Sequence, residues 1–169
     1  MMEHRRPGLM GRPRTIADAK TAIVFASRHH ANTQRVAEAM ARAIGADLFD
    51  AEATDPQALT SYDLIGFGSG IYFGSPHRAL RRLVLDLPPG TKSVFVFSTA
   101  GLPFLSRLWH CRLKQKLSRK GYLFVGEFSC RGWDTVGPLR LIGGLNRRHP
   151  NDDDLNRASL FARSLQENQ

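Results

Sequence analysis

Residues 21–45 constrain the fold more than any other stretch of the chain, because they join a strand pattern to a helix pattern through one polar loop. The run TAIVFA is short, apolar and β-branched, which is typical of a strand buried on both faces. From Val36 onward apolar residues recur at helical spacing, and Gly45 stands where a helix C-cap glycine belongs. The stretch therefore predicts a strand, a loop over residues 27–33 and a helix.

The same alternation of strand and helix patterns continues to the end of the chain. Further strands are predicted at residues 46–51, 64–68, 93–98 and 122–129. A weak helical turn is predicted at 55–59, and helices are predicted from Pro76 to Leu87, over 105–120 and over 152–165. Regular alternation of this kind predicts a doubly wound α/β fold, with helices on both faces of a five-stranded parallel sheet.

The loops after the strands differ from the other connections. The segments 27–33, 69–74, 98–103 and 130–137 are rich in Gly, Ser, Thr and aromatic residues, and they follow four of the predicted strands. Ligands of doubly wound sheets bind at this edge. The segment 27–33 carries hydroxyls and an Asn but no acid, and it opens a helix, so it suits a phosphate. The alternative is that Ser27 or Asn32 simply caps the helix.

Length and composition favour one globular domain. The 169 residues suffice for a real core, no apolar run is long enough to span a bilayer, and two cysteines fit a reducing cytosol. We therefore expect a cytoplasmic protein. Residues 1–20 are rich in Arg and hold no apolar repeat, so they are predicted to be a disordered basic extension ahead of a domain at 21–169.

The net charge of +9 indicates that the chain would attract acidic or anionic binding partners. A second basic block lies in the predicted helix 105–120 and contains no acid. Such a surface could contact an acidic redox protein or an anionic membrane. No nucleic acid is expected, because the charges of this block are not interleaved with the several aromatic residues that a stacking surface needs, Trp109 being the one aromatic residue among them, and a solvated helix face is the simpler interpretation.

Four segments resemble the cofactor loops of the flavodoxin family. SRHHANT resembles the phosphate loop, SGIYFG the second flavin loop and STAG the third, while FSCRGWDTVGPLRLIGG with HPND resembles a flavodoxin-domain subgroup. The resemblance implies the strand order 2-1-3-4-5 and a noncovalent FMN. Carried over by position, it implies that the phosphate is held by Ser27, Arg28, His29, His30, Ala31, Asn32 and Thr33. It also implies that the isoalloxazine ring lies against Gly70, Ile71, Tyr72, Phe73, Ser98, Thr99, Ala100 and Gly101. The position of the fourth loop adds Cys130, Arg131, Gly132 and Trp133 to the expected cofactor-binding residues, and the alternative for Trp133 is packing against the edge of the sheet.

The chain departs from the family pattern in three ways. Ala31 stands where glycine is frequent, so the backbone there must avoid positive φ or tolerate strain. His29 and His30 replace small hydroxyl residues, and the chain is basic where flavodoxins are commonly acidic. Cys130 is either a redox thiol assisted by Arg131 or a small buried hydrophobic residue.

The resemblance implies a flavodoxin-type FMN protein that carries electrons between redox partners, with no catalytic or metal-binding residues of its own. The alternative is a small FMN-dependent oxidoreductase that acts on a quinone or a porphyrinogen, similar to flavodoxin-like protoporphyrinogen oxidases. A cofactor-free module of the response-regulator type would need acids after the first strand, where Ser27, Arg28 and His29 stand. Gly66, Gly68 and Gly70 do not form a dinucleotide motif, because their spacing is wrong and they follow the third strand.

Overall fold

The structure, a computed structural model, describes residues 19–27, 31–72, 75–101, 106–133, 146 and 148–167. The predicted basic extension therefore lies almost entirely outside the described residues. The strands are β1 (Thr21–Ala26), β2 (Asp47–Asp50), β3 (Leu64–Tyr72), β4 (Ser75–Pro76), β5 (Ser93–Ala100) and β6 (Leu123–Arg131). The helices are α1 (Asn32–Ile44), α2 (Arg78–Asp86), α3 (Ser106–Arg119) and α4 (Asp152–Glu167), with a 3₁₀ helix at Pro56–Ser61.

The five longer strands form one parallel sheet in the order β2-β1-β3-β5-β6. Because the predicted fourth and fifth strands are β5 and β6, this is the predicted order 2-1-3-4-5. The sixth strand is an addition: β4 pairs antiparallel with the end of β3, through Ile71 with Pro76 and Tyr72 with Ser75. The doubly wound α/β prediction is confirmed.

Three strands run further than their sequence patterns predict. β3 continues to Tyr72, β5 to Ala100 and β6 to Arg131. The Gly, Ser and Thr residues at these ends indicate loops locally, but each end pairs with a neighbouring strand, which supplies the missing backbone hydrogen bonds. The prediction that Pro76 lies in the first turn of α2 is wrong, because Pro76 belongs to β4 and His77 caps the helix.

Helices cover both faces of the sheet. α2 and α3 pack on one face through Leu80, Leu83, Leu113 and Leu117, and α1 and α4 pack on the other face through a second buried cluster. That second cluster contains Val36, Met40, Phe95, Phe97, Ala158 and Ala162. None of the described helices is long and apolar enough to cross a membrane.

Two glycines of β3 are required by the packing of this second cluster. A Cβ on Gly66 would lie 2.3 Å from the ring of Phe95, and one on Gly68 would lie 2.0 Å from the ring of Phe97. The two phenylalanine rings of β5 thus occupy the space that side chains of β3 would need. Gly66 and Gly68 therefore serve sheet packing, which explains these two glycines without a dinucleotide.

Candidate functional site

The carboxyl ends of four strands meet at one edge of the sheet. The register places Ala26 of β1 beside Ser69 of β3, Ser69 beside Ser98 of β5, and Ser98 beside Ser129 of β6. Since β1 is flanked by β2 and β3, and β3 leads on to β5, this edge includes the point at which the chain switches direction across the sheet. The predicted loops therefore begin side by side.

Helix α1 starts without a capping side chain. Ala31 is its N-cap residue and lies in the left-handed region at φ 51°, and the first turn contains no acidic residue. The first backbone bond of the helix runs from the Arg35 amide to the Ala31 carbonyl at 2.9 Å. The amides before it have no partner within the helix, and such groups attract anions. The interpretation in which Ser27 or Asn32 caps the helix is wrong.

Ser27, the residue after β1, carries a buried hydroxyl oxygen without a hydrogen-bond partner. Buried hydroxyls are normally satisfied, so an unsatisfied one indicates a place for an external acceptor or donor. It precedes Asn32, the first residue of α1, by five residues. The predicted phosphate residues Arg28, His29 and His30 lie outside the described residues. Within the described residues, Ser27 and the start of α1 form the candidate phosphate cradle.

The start of α1 is fastened to the ends of β5 and β6. The Asn32 side-chain amide donates to the Trp133 carbonyl at 2.8 Å, and the hydroxyls of Thr33 and Thr99 are 2.8 Å apart. Gly132 lies between them: a Cβ there would be 3.1 Å from Asn32 Nδ2 and 3.2 Å from Thr99 Cβ. The structure therefore brings together residues from the first, third and fourth predicted loops.

Asn146 and His149, which the sequence patterns did not indicate, form hydrogen bonds with residues at this edge of the sheet. The Trp133 amide donates to the carbonyl of His149 at 2.9 Å, and the Asn146 side-chain amide donates to the carbonyl of Gly101 at 2.8 Å. Both residues precede α4 in the chain. No local sequence pattern indicates these hydrogen bonds, because the partner residues lie far apart along the chain.

Ser98 faces the opposite side of the sheet from Thr99. Its hydroxyl lies 2.9 Å from Nε2 of His110 on α3 and donates to the Ser129 hydroxyl at 3.3 Å. Nδ1 of His110 is 3.3 Å from a carboxylate oxygen of Glu127 on β6. Burial lowers the pKa of His110, and the nearby Glu127 carboxylate raises it less. Sequence analysis missed this network, in which Ser98 contacts α3 and lies apart from the Thr33–Thr99 pair.

Most of the second predicted loop, residues 69–74, belongs to the end of β3, where the side chain of Ser69 forms two hydrogen bonds. The Ser69 hydroxyl donates to the Gly70 carbonyl at 2.7 Å and accepts from the His77 amide at 2.8 Å. Gly70, Ile71 and Tyr72 therefore stand at the end of β3 as strand residues, while Phe73 lies outside the described residues. The hydrogen bond from His77 ties the start of α2 to this strand end.

Cys130 is buried inside the sheet face covered by α1 and α4. It belongs to the cluster of Phe97 and Ala158, whereas Arg131 is exposed. Burial raises the pKa of the Cys130 thiol to about 12, the charge of Asp154 raises it further, and Arg157 lowers it only in part. The thiolate is therefore disfavoured, and the structure supports the interpretation of Cys130 as a small buried hydrophobic residue.

A relative supports a family assignment, although no protein-family model matches the chain. The uncharacterized protein MJ0298 of Methanocaldococcus jannaschii is 43% identical over 149 residues, which cover 88% of this chain and 99% of that protein. Identity at this level across nearly both full lengths indicates common descent and a shared fold.

Comparison with solved structures identifies the fold. The flavodoxin of Streptococcus pneumoniae TIGR4 superposes with a TM-score of 0.69 at 17% identity, covering 89% of this chain and 100% of its own. Flavodoxin 2 of Bacillus cereus gives 0.67 at 18% identity, with coverages of 89% and 100%. The WrbA-like flavodoxin of Agrobacterium tumefaciens gives 0.64 at 20% identity, with coverages of 88% and 96%. The chain therefore belongs to the same family as MJ0298, and the predicted resemblance is confirmed: its fold is that of the flavodoxins.

Proposed function

We propose that this protein binds FMN noncovalently and carries electrons between redox partners. The observation that carries the proposal is the buried, unsatisfied hydroxyl of Ser27 at the end of β1, together with the uncapped start of α1. These groups are donors without acceptors, and a phosphate monoester is an acceptor of matching charge. The flavodoxin fold of the chain adds the expectation that the phosphate belongs to a flavin.

The described residues would hold FMN without charged side chains. The amides at the start of α1 and the Ser27 hydroxyl would bind the phosphate, while Thr33 and Asn32 hold that helix start against β5 and β6. The ends of β3 and β5 would border the ring through Gly70, Ile71, Tyr72, Thr99 and Ala100. Bound FMN would supply the electron-transfer chemistry, and the protein would supply its position and its electrostatic surroundings.

A titration of the flavin-free protein tests the cofactor. Purified protein is expected to be yellow, and after removal of flavin it should bind FMN more tightly than riboflavin by at least a factor of about ten, because only FMN carries the phosphate. Ser27→Ala is expected to weaken FMN binding about tenfold, since a hydrogen bond to a charged group contributes roughly 1.5 kcal/mol. Riboflavin binding should not change.

Ser61→Ala is the matched control, because Ser61 is exposed at the end of the 3₁₀ helix and its hydroxyl donates to the Ala58 carbonyl. It should leave both affinities unchanged. A colourless protein that takes up no added FMN contradicts the proposal, and so does equal binding of FMN and riboflavin.

The electron-carrying part of the proposal rests on charge and on the absence of an evident acid or base among the predicted ring-loop residues. The excess of basic residues favours an acidic redox protein as partner. The rate of electron transfer to an acidic ferredoxin should therefore fall steeply as salt rises from low to physiological concentration. Saturable and specific turnover of a quinone or protoporphyrinogen, with salt-independent transfer to protein partners, would favour the oxidoreductase instead.

A further inference from the structure

A cavity of about 220 Å³ lies between α2 and α3, on the sheet face away from α1. Its walls come from both helices and from β4, with Leu113 and Pro76 as apolar parts. Four cationic side chains line it: Arg81 of α2, and Arg112, Lys116 and Arg119 of α3. The cavity is therefore a concave space bordered by four positive charges, separate from the cradle at the start of α1.

The basic residues of α3 reach the cavity because of their spacing. Trp109, Arg112, Lys116 and Arg119 follow one another at intervals of three, four and three residues, which places them on one helical stripe. The neighbouring stripe of His110, Leu113 and Leu117 is buried against the sheet. Because the buried stripe fixes the rotation of the helix, the basic stripe is held towards α2.

Among the residues that the structure describes, the four cations have no carboxylate partner, whereas other cations do. Arg42 lies 4.0 Å from Glu38, Arg82 lies 3.6 Å from Asp86, and Lys92 lies 3.4 Å from Asp63. Within the described residues no carboxylate lies within 4.0 Å of the charged groups that line the cavity. Converging positive charges repel one another, and an anion between them would relieve that repulsion.

Contacts of Arg112 and Lys120 restrain the helices that line the cavity. The guanidinium of Arg112 lies 5.1 Å from the ring centre of Trp109, a cation–π contact that limits its freedom. The Lys120 ammonium donates to the carbonyls of Leu85 and Leu87 at 2.8 and 2.5 Å, so the end of α3 is tied to the end of α2. Preorganised donors of this kind bind anions at a lower entropic cost.

We propose that this cavity binds the diphosphate or triphosphate group of a small-molecule ligand. Guanidinium groups match phosphate oxygens in pairs, and four cations balance the charge of two or three phosphates. A free polyphosphate and a nucleotide share this chemistry. The proposal is independent of FMN, because the cradle at α1 lies on the other face of the sheet.

Calorimetric titration of the full chain, saturated with FMN, tests the proposal with pyrophosphate, ATP and adenosine at low salt. We expect pyrophosphate and ATP to bind and adenosine not to bind. Tighter binding of ATP than of pyrophosphate identifies a nucleotide, and equal binding identifies the phosphate group alone as the determinant. The double variant Arg112→Gln/Lys116→Gln should weaken the binding of both anions at least tenfold.

The matched control is Arg42→Gln/Arg163→Gln, which removes the same charge from α1 and α4. These two residues line a groove together with the acidic Asp152, so they are not expected to bind phosphate. The control should change the anion affinities less than twofold, and FMN affinity should be equal in all three proteins. Equal weakening by both double variants would show a general charge effect and overturn the proposal. The absence of binding at millimolar ATP and pyrophosphate would overturn it as well, whether or not FMN binds.

Discussion

The hydroxyl oxygens of Thr33 and Thr99 lie 2.8 Å apart, with both residues almost completely buried. The first residue belongs to the start of α1 and the second to the end of β5, so one hydrogen bond joins the helix of the candidate cradle to the centre of the sheet edge. Asn32, the next residue towards the N-terminus, bonds the Trp133 carbonyl beyond β6. The geometry of the cradle thus depends on contacts that hold three chain segments together.

Replacing either threonine by valine is expected to destabilise the protein. Thr33→Val or Thr99→Val leaves the other hydroxyl buried and unpaired, which should lower the free energy of unfolding by about 1–3 kcal/mol. The double variant should lose less than the sum of the two, because no orphaned hydroxyl remains. Urea unfolding measures all three values. Thr60→Val, which removes an exposed hydrogen bond to Gln57, serves as control and should stay within about 0.5 kcal/mol. Strictly additive losses would contradict the coupling.

Ala31→Gly is expected to stabilise the flavin-free protein. Ala31 has φ 51°, a conformation that costs an L-residue roughly 1–2 kcal/mol and costs glycine little. Part of the gain is offset by the greater freedom of glycine in the unfolded chain, so we expect a net gain of about 0.5–1 kcal/mol. Ala43→Gly, inside α1, is the control and should lower stability by about 1 kcal/mol. Loss of stability in both variants would show that Ala31 is not strained.

Local sequence patterns predicted most of the helices and strands and the edge at which the candidate site lies, while the order of the sheet came from the resemblance to flavodoxins. Buried strands such as β1 and β5 are continuous apolar runs, and α1 ends at Gly45, which has the left-handed φ of 65° expected of a C-cap glycine. Asn151 and Asp154 likewise begin α4 with reciprocal side-chain to backbone hydrogen bonds of 3.0 and 3.1 Å. These signals are local, which is why they can be recognised without a structure.

The structural features that the sequence did not predict depend on contacts between segments that are distant along the chain. The ends of β3 and β6 look like loops until their partner strands are known. His110 belongs to the buried stripe of a basic helix, and nothing in the sequence indicates that it contacts Ser98 and Glu127. The bond between Asn146 and Gly101 spans 45 residues. The sequence shows that Ala31 stands where glycine is frequent in the flavodoxin family. Only the coordinates show that Ala31 has a positive φ.

The two cysteines are expected to differ sharply in reactivity. Cys111 is exposed on α3, whereas Cys130 is buried and its pKa is raised to about 12. Because the thiolate is the reactive form, a disulfide reagent at pH 8 should label one thiol per native chain rapidly and the second only after denaturation. Cys111→Ser should remove the rapid phase, and Cys130→Ser should leave it intact. Rapid labelling of Cys130 in the native protein would restore the interpretation as a redox thiol.

His110 is expected to make the protein less stable in mild acid. Burial lowers its pKa below the ordinary 6.5 despite the nearby Glu127 carboxylate, so the folded protein takes up the proton less readily than the unfolded chain. The folded state should therefore lose stability as the pH falls from about 6.5 through the folded-state pKa, and His110→Gln should remove that loss. Glu127→Gln should lower the pKa of His110 further, because the carboxylate favours the protonated ring, whereas Glu38→Gln on α1 should leave it unchanged. NMR titration of the His110 ring measures each pKa, and a value at or above 6.5, or a rise in Glu127→Gln, would contradict the role assigned to burial.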